Sequence, residues 1–211
     1  RLGRLLIRGD IWSKLLSERH SLALQQDFDY IDNEAYEYGG QSLGPSLISE
    51  FELSPTSRLL TRAQAYVILL GAVNSPLSVL ADVANQERFR EYDYGPGVGG
   101  SIELLWLRKN FPWLVARYRG TYLDVSNGSI YNDDVKDIGL NSTHGIHQTQ
   151  LKLEIPVTKT LAIGADASVF FRRSHFDFSG SGVPPEIGTG RRTVTQRNPE
   201  ARVFLTWSLY H

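Results

Sequence analysis

Long runs of strict alternation between apolar and polar side chains organise this sequence, and the clearest lie in its last third. Leu151-Lys152-Leu153-Glu154-Ile155 alternates apolar and charged without a break. After Thr158-Lys159-Thr160 the pattern resumes, with Leu161, Ile163, Ala165, Ala167, Val169 and Phe171 on one side and Gly164, Asp166, Ser168 and Arg172 on the other. Ala201, Val203, Leu205, Trp207 and Leu209 repeat it against Arg202, Thr206 and Ser208. Successive side chains of a strand point to opposite faces, so each run predicts a strand with one apolar and one polar face.

The same period predicts strands over residues 20–30, 43–53, 58–70, 95–107 and 111–124, and three more after residue 143. Residues 4–14 read as a ninth, with a short amphipathic helix over residues 10–18 as the alternative. Short connections (17–19, 54–57, 108–110, 158–160) alternate with long ones (31–41, 71–94, 125–143, 174–193). Ser75-Pro76 in the second long one has the form of an N-cap and first helical residue, and predicts a helical turn. Alternating short and long connections are the mark of an up-and-down barrel that crosses a membrane. Trp12, Trp106, Trp113 and Trp207 fall toward the short-turn ends, and Tyr30, Tyr92, Tyr94 and Tyr122 toward the long-loop ends. Aromatic rings favour the headgroup level, so the two sets predict two girdles. The expected fold is therefore all-β: one antiparallel up-and-down transmembrane β-barrel domain over residues 1–211, with at least eight strands and a polar lumen. A soluble barrel that buries the apolar face around an apolar ligand is the alternative the pattern allows.

Composition sharpens this picture only in places. The 22 Lys and Arg nearly balance the 23 Asp and Glu, giving a net charge of −1, and nucleic acid is not an expected partner. With no cysteine in the chain, disulfides and thiolate metal sites are excluded. The longest apolar run, residues 65–73, is about half of the ~20 residues a membrane helix needs. A mean hydropathy of −0.25 is compatible with a membrane barrel, because only alternate residues meet lipid.

Arg90-Glu91-Tyr92-Asp93-Tyr94-Gly95-Pro96-Gly97 resembles a run found in an uncharacterised family of bacterial outer-membrane barrels, a domain of unknown function. Gln26-Asp27-Phe28-Asp29-Tyr30, Leu69-Leu70-Gly71-Ala72-Val73-Asn74-Ser75, His147-Gln148-Thr149-Gln150 and Phe171-Arg172-Arg173 are similar passages. The resemblance implies a Gram-negative outer-membrane location and assigns no activity or catalytic residue. It also implies further sequence upstream, which agrees with strand parity: bacterial barrels have an even number of strands, and nine would call for at least one more.

Turned inward, the polar faces gather Asp27, Asp29, Glu50, Glu52, Glu103, Glu154, Asp166 and Glu200 against Arg62, Arg117, Arg119, Lys152, Arg172 and Arg202. Charges withdrawn from water must be paired, so these predict an ion-pair network that fills a small barrel or lines a narrow, porin-like passage. Catalytic candidates are few. His147 and Thr149 share the apolar face in a His-x-Thr relation, which allows a lipid hydrolase with Thr as nucleophile, but no acid is placed to orient the imidazole. His144 and His147 fall on opposite faces, a poor geometry for one metal. Gly95-Pro96-Gly97-Val98-Gly99-Gly100 lacks the Lys-Ser/Thr of a phosphate loop, and its glycines read as room for bulky neighbours. No cofactor or metal is expected. Outer-membrane lipids are the expected partners, with other envelope proteins a further option, and the expected role is non-enzymatic: structural element, narrow pore or partner-binding component.

Overall fold

The computed structural model describes residues 3–32, 37–76, 90–109, 111–131, 138–158, 161–177 and 190–207. Among these, every regular element is a strand: β1 (Gly3–Ser17), β2 (His20–Asp32), β3 (Glu37–Ser54), β4 (Ser57–Pro76), β5 (Arg90–Arg108), β6 (Phe111–Tyr131), β7 (Ile138–Pro156), β8 (Leu161–Asp177) and β9 (Arg191–Trp207). They form one antiparallel sheet in chain order, each strand pairing with its sequence neighbours. Among the described residues β1 pairs only with β2 and β9 only with β8, so the sheet keeps two edges.

Residues 10–18 are strand and turn rather than helix, because β1 pairs with β2 along its whole length. Ser75 and Pro76 likewise end β4, opposite Glu91 and Arg90, so the helical turn is absent there. The rest of that connection, residues 77–89, lies outside the described residues. Several strands outrun their predicted ends at the long-loop side. β3 begins at Glu37, inside the expected loop over residues 31–41, and β6 runs on to Tyr131. The opposite ends close tightly: two residues separate β1 from β2, β3 from β4 and β5 from β6. Lys109, in the third of these turns, takes the left-handed conformation short hairpins demand (φ 49°) and donates its N–H to the Thr56 carbonyl of the neighbouring turn at 2.7 Å.

The sheet is strongly curled. Side chains four strands apart touch, Arg8 of β1 with Glu103 of β5 and Asp27 of β2 with Arg119 of β6. Its two faces are inverted relative to a water-soluble protein. Gln25, Asp27, Asp29, Arg119, His144, Gln148, Asp166 and Arg172 are buried on the concave side. Leu47, Leu69, Val98, Ile102, Leu151, Ile163 and Val203 stand exposed on the convex side, Val203 by 80%. A small apolar cluster of Tyr38, Tyr66, Ile68, Leu123, Ile146 and Phe170 also lies inside.

Two glycines show how that interior is filled. Tyr66 crosses β5 flat against Gly99, where a β-carbon would lie 2.5 Å from its ring, and reaches β6 beyond. The ring of Phe204 covers Gly164 in the same way on β8. A large ring lying over a cross-strand glycine fills the space its missing side chain leaves.

Candidate functional site

The concave face carries the chemistry. Alternation along β2 sends Gln25, Asp27 and Asp29 inward together, and the pairing of β6 with β5 sets Arg117 and Arg119 opposite Glu103 and Ser101. Curling then brings β6 over β2. Arg119, 7% exposed, donates from Nη1 to Asp27 Oδ2 at 3.3 Å and from Nη2 to Ser42 Oγ at 3.0 Å. Its Nε lies 3.9 Å from Asp29 Oδ2, and its guanidinium sits 4.4 Å over the ring of Tyr66. Tyr66 holds that platform in place through contacts of 3.0 Å from its hydroxyl to the Gly120 carbonyl and Thr121 Oγ1. Arg8 extends the network, bridging Asp27 and Glu103 at 3.4 Å each. Glu103 also accepts from Arg117, and Arg62 is its cross-strand neighbour on β4. The result is a continuous chain, Arg117–Glu103–Arg8–Asp27–Arg119–Asp29, that braces β1, β2, β5 and β6 across the interior.

A second group lies on β7 to β9. Asp166 accepts from Gln150 Nε2 at 2.6 Å and pairs with Arg202 at 3.6 Å, while Lys152 pairs with Glu154 at 2.7 Å and lies over the Phe204 ring. These links stay within β7 or reach one or two strands along the wall rather than spanning the interior. Beside them is an open cleft of about 510 Å³ lined by Arg117, Lys152, Asp166 and Arg202 among others. Arg172 is buried on this face (1% exposed), and His144 sits between Ser142 Oγ and Ser174 Oγ at 3.0 and 2.8 Å. Glu50 lies apart, at the short-turn rim, paired with Arg58.

His147 and Thr149 both lie on the convex face but do not engage each other. His147 Nδ1 meets the Tyr118 hydroxyl at 2.8 Å, and the Thr149 hydroxyl donates to the Val169 carbonyl at 3.4 Å. No hydrogen bond joins His147 to Thr149, and each group is engaged elsewhere. No family model, curated protein or solved structure matches the chain.

Near the short turns, Trp106 Nε1 donates to Ser57 Oγ at 2.6 Å and its ring lies 6.2 Å from that of Trp113, which Arg108 covers. Trp12 is half-exposed on the convex face because a bulge between Asp10 and Trp12 shifts β1 by one residue and sets Trp12 beside Leu24. Alternation from Leu5 would put it on the other side. Tyr122 is exposed on the convex face of β6, toward the long-loop side. The side chains of Tyr92, Tyr94 and Trp207 lie outside the described residues. Sequence reasoning missed Arg8 as a bridge and Tyr66 as a cation platform. The Arg8 signal was present, since Arg8 and Asp10 share a parity in residues 4–10, but its partner four strands away leaves no trace in local pattern.

Proposed function

We propose that this chain forms the wall of a bacterial outer-membrane β-barrel whose role is non-enzymatic: a scaffold with an ionically braced interior rather than a wide channel. The observation that carries this is the inversion of the two faces. A convex surface of exposed Leu, Ile and Val far exceeds the few hundred Å² of contiguous apolar area that soluble proteins leave open, and acyl chains are the solvent that suits it. A soluble barrel would have these residues inside.

The dimensions agree. The apolar column of β8 runs from Leu161 to Phe171 before Arg173 interrupts it. At ~3.3 Å per residue this is about 33 Å along the strand, or ~25 Å along an axis to which the strand is tilted by ~40°, the height of a barrel's apolar band. Trp106 and Trp113 then lie at one boundary and Tyr122 near the other. Sheet edges cannot face lipid, because their backbone groups would be unsatisfied. The edges β1 and β9 run in the same direction, so one further strand antiparallel to both would close an even-numbered barrel.

Within the wall, the brace from Arg117 to Asp29 occupies the interior where a porin-like channel would hold water. Flotation with phospholipid vesicles followed by planar-bilayer recording tests both parts. The chain should co-float and give no large conductance steps. A chain that stays monodisperse without detergent ends the membrane reading, and wide-channel steps in the unmutated protein end the scaffold reading.

A further inference from the structure

We infer that the convex face of β7, β8 and β9 binds one anionic lipid, with its phosphate on Arg173 and Arg197 and an acyl chain in the groove beneath them. The inference rests on the membrane reading above and adds a specific ligand and place to it. Three cross-strand rows build the site. In the lowest, Ala116, Leu151, Ala167 and Ala201 lie side by side, and the next holds Thr149, Val169 and Pro199. Small residues there hollow the surface into a mainly apolar groove of about 620 Å³ lined by Ala116, Leu151, Ala167, Val169 and Ala201. Elsewhere on this face Leu153, Ile155, Ile163 and Val203 stand out into the surroundings.

The row above the groove is His147, Phe171 and Arg197. Arg197 lies over the Phe171 ring at 5.5 Å, and His147 is 5.8 Å from the other side of that ring. Arg173 is the diagonal neighbour of both His147 and Arg197, within reach of a shared ligand. Among the described residues neither Arg173 nor Arg197 has an acidic partner. The one acid on this face of the three strands, Asp177, pairs with Arg191 at 3.4 Å. Two exposed guanidiniums without counter-ions present a fork suited to phosphate oxygens, and the Phe171 ring orients one of them. The same border on β2, β3 and β6 shows Gln26, Gln41, Tyr122 and Asp124, with no cation among the described side chains. Cations above an acyl-sized groove follow the order in which a lipid presents phosphate and chain. Charge complementarity selects an anionic headgroup over a zwitterionic one.

For the test, the full chain is reconstituted into phosphatidylcholine vesicles containing phosphatidylglycerol, re-extracted in mild non-ionic detergent, and its bound lipid counted by native mass spectrometry. One phosphatidylglycerol per chain should be retained and phosphatidylcholine lost. R173Q/R197Q should lower retention about tenfold. A167L/A201L, which fills the groove and leaves the charges, should lower it comparably, and circular dichroism should show both variants folded. Excess inorganic phosphate should leave the lipid bound; displacement by phosphate alone would make this a free-anion site and overturn the assignment. Equal retention of both lipids, or phosphatidylglycerol held unchanged by either folded variant, would also overturn it. Entry into vesicles without any retained lipid defeats the lipid site alone, whereas failure to co-float defeats the membrane reading beneath it.

Discussion

Replacing Arg119 by alanine should be among the most damaging single changes in the protein. The guanidinium is buried and serves Asp27, Asp29, Ser42 and the Tyr66 ring at once. Its removal takes the guanidinium away from two carboxylates with fully buried side chains, Asp27 and Asp29. Breaking a buried ion pair from one side costs about 3–5 kcal/mol, because the remaining charge keeps its desolvation penalty. The lost cation–π contact adds about 1 kcal/mol. A loss of 3–5 kcal/mol is about two to three and a half decades in the folding equilibrium. The assay is denaturant unfolding in detergent micelles, followed by circular dichroism, for R119A, D27N and the double variant. R119A should lower the midpoint strongly, and the double variant should lose less than the sum, since removing both partners leaves less unpaired charge. Stability of R119A within about 0.5 kcal/mol of the parent, with additive single effects, would refute the claim that this arginine braces the interior.

Other consequences follow from the same geometry. G99V should press on both the Tyr66 ring and the Gly120 carbonyl and cost about 1–3 kcal/mol by overpacking, read as a lower thermal midpoint; an unchanged midpoint would show that neither needs that space. L151R, beside Ala167 near mid-height on the convex face, should cost about 2–4 kcal/mol for folding into bilayers, whereas on a water-exposed surface it would be close to neutral. If one strand lies between β9 and β1, cysteine pairs scanned along the two edges should all resist disulfide formation, which needs α-carbons within ~7 Å, while the pairs at matching height are joined by a linker spanning the ~10 Å of two strand spacings. Ready disulfide formation would mean the edges meet directly. H147A should leave phospholipid ester content unchanged relative to the parent, and turnover by the parent that H147A abolishes would favour the hydrolase reading over the scaffold.

Much of the sheet was legible because side-chain period alone encodes it. The columns Leu161 to Phe171 and Ala201 to Leu205 needed no tertiary information, and neither did the alternation of tight and long connections. The sequence reading failed where that period stops being informative. Residues 37–41 and 125–131 are rich in Gly, Ser and Asn and carry no sustained apolar column, which predicts loops, yet they are strand because backbone pairing continues where no apolar face is required. The bulge at Ile11 was invisible for a related reason: one extra residue exchanges the faces, and Trp12 turns out beside Leu24. Inward charges such as Asp27, Glu103, Arg117 and Arg119 could be collected by parity. Which of them touch depends on curvature, and curvature joins β1 to β5 and β2 to β6 through no local signal.

The central claim is that the apolar convex face meets lipid and the charged concave face does not. The chain has no cysteine, so single cysteines at Val98, Leu151 and Ile163, and at Gln148 and Asp166, can each carry one fluorophore in reconstituted vesicles. Brominated acyl chains should quench the first three labels strongly and the last two weakly. Quenching confined to Gln148 and Asp166, or absent from all five, would contradict the account.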